Sequence, residues 1–199
     1  VGSLVAWGKA GVGVVATQSF INPSFGPRGL SLLENGLSPK LAVETLLDLD
    51  EGREVRQLAI LDVHGNVDAY TGKNCIEAAG HIIGDNFSVQ ANLMKKNTVW
   101  PAMAEAFKNS TGSLAERMLL ALEAAQNEGG DIRGKQSVAI LVVKGKSTGN
   151  SWEDKVVDLR VEDSEDPLKE MRRLLIIHTA YEFMNQGDLA VETGNNVLA

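Results

Sequence analysis

The chain has 199 residues, 44% of them hydrophobic, with one cysteine and a formal net charge of -7. That length buries a full core without disulfides or a structural metal, and a lone cysteine fits a reducing, cytoplasmic setting. Lys and Arg are scattered apart from pairs such as Lys95-Lys96 and Arg172-Arg173, which argues against a nucleic-acid partner. No apolar run approaches the roughly 18–20 residues of a membrane span, so no membrane partner is expected, and the N-terminus lacks the basic region and cleavage site of a secretory signal.

In chain order, residues 1–8 and 11–18 are apolar and rich in β-branched side chains, which predicts two strands around Lys9-Ala10-Gly11. Asn22-Pro-Ser-Phe-Gly-Pro-Arg-Gly29 reads as a loop and is followed by a helical stretch to Asn35. Ser38 caps a second helix with Pro39 at its first position and Leu41, Val43, Leu46 and Leu47 near one face. A hairpin joins 57–63 to 67–71 through His64-Gly65-Asn66, and Gly84-Asp-Asn86 turns into a strand at Phe87–Asn92.

Two helices follow with a period of about 3.6 residues, one carrying Val99, Met103, Ala106 and Phe107, the other Leu114, Met118, Leu119, Leu122 and Ala125. Glu128-Gly-Gly130 ends the second. Ser137–Val143 is apolar on both faces, so it should be a central strand, and Lys155–Val161 is the other late strand. Pro167 starts a long helix through about Asn185. Strand runs, then paired helices, then strands again fit two helix-covered sheets, an α+β arrangement, better than a doubly wound fold.

The segments Ala10–Ser19, Asn22-Pro, Gly26-Pro-Arg-Gly29, Ala79-Gly-His81, Phe87–Asn92, Gly130–Ser137 and Val157–Asp163 together resemble the signature of the domain of unknown function 1028 family over roughly residues 1–178. That family is grouped with the N-terminal nucleophile (Ntn) hydrolases. The resemblance implies a four-layer αββα sandwich, two antiparallel sheets between helices. It also implies amide cleavage by a Thr, Ser or Cys at the start of the mature chain. There the α-amine, with a pKa near 7.7–8.0, takes the proton. Members open with a short strand, a turn and a second strand that lead into the equivalent of Val1-Gly-Ser. The chain starts at Val1, which offers no nucleophile, so the first strand is expected to be missing and this form inactive.

The resemblance sets the substrate carbonyl near the end of the Val12–Gln18 strand. It marks Thr17, Gln18 and Asn92 as candidate catalytic residues. Asn22, Arg28, Gln90, Arg133 and Gln136 become candidates for binding a small-molecule or peptide amide. Each has a competing structural reading. Arg28 could pin its own loop, Gln90 and Asn92 could be an exposed polar strand face, and Arg133 with Asp131 could brace a turn. A Cys75–His81 dyad has no supporting periodicity, and a lone cysteine is more often a buried apolar residue. His64, His81 and His178 lack metal-ligand spacing. Gly11 and Gly13 do not complete a dinucleotide fingerprint, so no cofactor is expected.

Residues 1–164 are expected to form the αββα domain and 165–199 a helical extension. Within the extension, Ala180–Ala190 resembles the first helix of a tetratricopeptide-like hairpin whose second helix is cut short at Val191–Ala199; a long amphipathic terminal helix is the alternative. A lost strand would leave an edge open beside Val1–Trp7, which favours a homodimer or higher homo-oligomer. The expected function is an Ntn-type amidohydrolase. A non-catalytic ligand-binding or scaffold role is the alternative.

Overall fold

The computed structural model describes residues 4–192, so Val1 and the expected second helix beyond Glu192 lie outside the described residues. The architecture is mixed α+β. Its strands are β1 (Ala6–Lys9), β2 (Gly13–Ser19), β3 (Arg56–Asp62), β4 (Val67–Thr71), β5 (Gly80–Gly84), β6 (Phe87–Ala91), β7 (Val138–Val143) and β8 (Lys155–Val161). Its helices are α1 (Phe25–Glu34), α2 (Pro39–Asp48), α3 (Val99–Asn109), α4 (Leu114–Asn127) and α5 (Pro167–Glu192).

Strands β1 to β4 form one antiparallel sheet in chain order, while β5–β6 and β7–β8 are separate two-stranded sheets. On one face of the first sheet, Val15, Leu58 and Ile60 pack with Phe25, Leu46 and Leu47 of α1 and α2. A second core joins Phe87, Val89 and Ala91 of β6 to Val99, Met103 and Ala121 of α3 and α4. A third joins Ile140 and Val157 to Leu119 of α4 and to Met171 and Leu175 of α5.

The segment read as a loop from Asn22 to Gly29 is already helix from Phe25. Pro27 is tolerated because it sits in the first turn, where backbone amides have no acceptor within the helix. Gly26 is there for proximity: a Cβ would fall 2.3 Å from the Trp7 indole. Gly26 and Gly29, which look like turn formers in sequence, are thus contact residues on the buried face of α1.

Other boundaries follow the sequence closely. The Ser38 hydroxyl accepts from the Leu41 amide and Pro39 opens α2, with Val43, Leu46 and Leu47 buried; Leu41 is exposed. The β3–β4 turn is held by the Asp62 carboxylate, which accepts from the amides of His64 and Asn66. Ser113 and Glu116 form a reciprocal capping box that starts α4.

Two expectations need correction. Strand β5 was not foreseen, because glycines bound it and only His81-Ile82-Ile83 lies between them. And β7, expected to be central, pairs only with β8 among the described residues. Leu141 and Val143 pack against β1 at Gly8. Helix α5 runs unbroken to Glu192, past its expected end near Asn185.

Candidate functional site

Residues opposed across antiparallel strands share a face. In the first sheet Gln18 opposes Gln57, and Gln57 opposes Thr71. In the β5–β6 sheet His81 opposes Gln90. The two rows meet face to face. The Gln90 amide N–H reaches the Ala16 carbonyl at 3.4 Å, and the Asn92 amide donates to the Gln57 side-chain oxygen at 3.0 Å. A polar seam therefore runs between the two sheets, with a cavity at each end.

The larger cavity, about 670 Å³ and mostly apolar, lies between β6 and β7. Val14, Ala16 and Gln18 of β2 form its floor, and Met103, Phe107 and Met118 of α3 and α4 its far wall. Among the described residues β6 pairs only with β5, and β7 only with β8. The two half-sheets thus present unpaired edges to one space. The side-chain oxygen of Gln90, in the wall of that space, is buried with no donor among the described residues.

At the centre of the seam Gln57 is fully buried. Its amide N–H group donates to the carbonyls of Ala91 (2.9 Å) and Gly80 (3.2 Å) and to the Thr71 hydroxyl (3.0 Å). Carbonyl oxygens only accept, so the Gln57 amide has one orientation. The Thr71 hydroxyl accepts from Gln57 and lies 2.8 Å from His81 Nδ1. Where that hydroxyl donates its own proton to Nδ1, the His81 proton lies on Nε2. Burial lowers the His81 pKa, with the nearby Asp68 charge opposing, which favours this neutral ring.

His81 opens onto the smaller cavity, about 390 Å³, with Thr71, Lys73, Cys75, Glu77 and Trp100 also in its walls. Gly80 makes that wall possible. A Cβ there would come within 2.6 Å of the Trp100 ring, so only glycine lets the indole lie against β5. Cys75 is buried, and its thiol donates to the Arg56 carbonyl at 3.3 Å. Cys75 and His81, which show no common periodicity in sequence, thus line the same cavity.

The residues singled out in sequence fall into two groups. Gln18 and Gln90 line the larger cavity, and Asn92 joins them through Gln57. Thr17 is buried on the Val15 face of β2, toward α1 and α2. Its hydroxyl has no partner among the described residues. Asn22, Arg28, Arg133 and Gln136 line neither cavity. Asn22 donates to Asp50 and accepts from Ser24. Hydrogen bonds from Arg56 first, and then from Asn22 and the Gly52 amide, hold the Asp50 carboxyl down to about 2 against the effect of burial. Arg133 pairs with Asp131 at 2.6 Å, the turn brace that was the competing reading. Gln136 reaches Asp163 at the surface, and Arg28 is exposed on α1.

Sequence reading missed Gln57, Thr71, Lys73, Glu77 and Trp100. The one available signal was Gln57, an amide on the same strand face as Ala59 and Leu61 at the edge of an apolar run. Its partners come from three other strands, and only the pairing registers bring them together.

A mixed α+β chain with small antiparallel sheets and a buried amide seam is the class these features define. Over residues 1–171 the sequence matches the DUF1028 family, a family of unknown function, and the chain belongs to it. The crystal structure of protein SPO2555 from Silicibacter pomeroyi, also of the DUF1028 family, is similar to it at 30% sequence identity and a TM-score of 0.80. That match covers 89% of this chain and 75% of that one. No curated protein matches the chain.

Proposed function

We propose that this chain is the greater part of an Ntn-type amidohydrolase with a four-layer αββα architecture. In this reading an N-terminal strand upstream of Val1 fills the larger cavity and joins β6 to β7 in one sheet. The observation that carries it is the pair of unpaired strand edges facing one apolar space. Such edges are rows of N–H and C=O groups that an extended chain satisfies. The orphaned Gln90 oxygen adds an acceptor for a backbone or substrate N–H at the same place.

The chemistry follows from that strand's first residue. Its hydroxyl or thiol attacks the amide carbonyl while its own α-amine takes the proton and returns it to the leaving amine. Water then releases the acyl group by the same route. Gln18, Gln90 and Asn92, at or next to the cavity, would orient the amide and stabilise the oxyanion. The substrate would be a small-molecule or peptide amide in the cytoplasm, with no cofactor.

Intact mass and N-terminal sequencing of the protein expressed from its complete gene test this. A mature chain that opens with Thr, Ser or Cys upstream of Val1, and whose Ala variant at that position releases no amine, is expected. A mature chain opening on a residue without a hydroxyl or thiol removes Ntn catalysis. A purely ligand-binding role is the second reading, and the smaller cavity is the observation that favours it.

A further inference from the structure

The smaller cavity carries chemistry that amide cleavage in the larger one does not use. Its volume of about 390 Å³ lies within the range of small-molecule sites. Lys73 and Glu77 both reach its walls and both are exposed. Neither side chain has a hydrogen bond or ion pair among the described residues. Two opposite charges that share one cavity without pairing leave each free to take a complementary group.

The seam supplies the third contact. The Thr71 hydroxyl, which accepts from Gln57, lies 2.8 Å from His81 Nδ1, and in the tautomer where it donates to that nitrogen His81 offers Nε2–H as a donor. A ligand beside that N–H has to offer an acceptor, and Lys73 favours an anionic one. Trp100 supplies an apolar, flat wall for a side chain.

We propose that this cavity binds a free α-amino acid, its carboxylate at Lys73 and His81 and its ammonium at Glu77. The site stands on its own geometry and does not rest on the amidohydrolase reading, since binding is read without turnover.

Calorimetric titration of the purified protein with L-leucine, N-acetyl-L-leucine and L-leucinamide tests it. L-leucine is expected to bind, with each derivative weaker by about tenfold or more, because each removes one charge of the zwitterion. Lys73→Met should abolish the preference for L-leucine over L-leucinamide, and Glu77→Gln the preference over N-acetyl-L-leucine. Both positions are exposed, so neither variant threatens the fold. Cys75 is the one cysteine of the chain and lines the same cavity, so saturating L-leucine should slow its alkylation by iodoacetamide. Absence of binding at millimolar L-leucine overturns the proposal. So do equal affinities for the three compounds, indifference to both variants, or alkylation unchanged by saturating L-leucine.

Discussion

Gln57 shows how much a single buried amide can hold. It is wholly enclosed and bonded to groups on β4, β5, β6 and the residue that follows β6. Replacing it with Leu leaves two carbonyls and the Asn92 amide without partners, and unmade bonds cost more than made bonds gain. Gln57→Leu is expected to destabilise by about 3 kcal/mol in urea melts, and Asn92→Ala by only about 1 kcal/mol. His81 adds a pH dependence whose sign follows from its lowered pKa. The unfolded chain takes up a proton near the ordinary value of 6.5 and the folded chain only at lower pH. The stability that neutral His81 contributes is present above that value and is lost as pH falls below it. The stability difference between the wild type and His81→Asn should therefore be flat above pH 6.5 and shrink below it.

Among the elements, α1 and β5 mark where reading the sequence succeeds and where it stops. Amphipathic spacing located α2, α3 and α4, with the Ser38 cap and Pro39 marking the start of α2, because helix signals are local. Glycine and proline in α1 carry a second meaning that is not local. Gly26 is small for the sake of Trp7, a residue on another element. Gly26→Ala should cost about 2 kcal/mol through overpacking, a loss that thermal melts would show and that Trp7→Leu in the same chain should partly relieve. The candidate site divides in the same way. Alternation put Gln90 and Asn92 on one face of β6, as the structure has it. Thr71 and His81 could not be joined to them without the strand registers.

At the scale of the whole molecule, the edges of β6 and β7 that are unpaired among the described residues add to the outer edge of β1. Helix α5 adds exposed apolar side chains, among them Ile176, Phe183 and Met184. Strand edges and apolar patches of this kind recruit partners. The chain from Val1 to Ala199 is expected to self-associate in sedimentation runs as its concentration rises. A clean monomer throughout would show that these edges are protected. No described helix is long and apolar enough to cross a membrane.

Among the described residues the apolar interior is divided into three clusters, and only α4 contributes to two of them, through Ala121 in one and Ala115 and Leu119 in the other. The cluster of β2, β3, α1 and α2 shares no helix with either. Cooperative opening follows shared packing. Amide exchange should therefore resolve a unit around β2 and β3 that opens on its own, while α4 exchanges only when both of its neighbours have let go. That would make α4 the slowest-exchanging helix of the protein, a strut whose protection outlasts that of either half-sheet it spans.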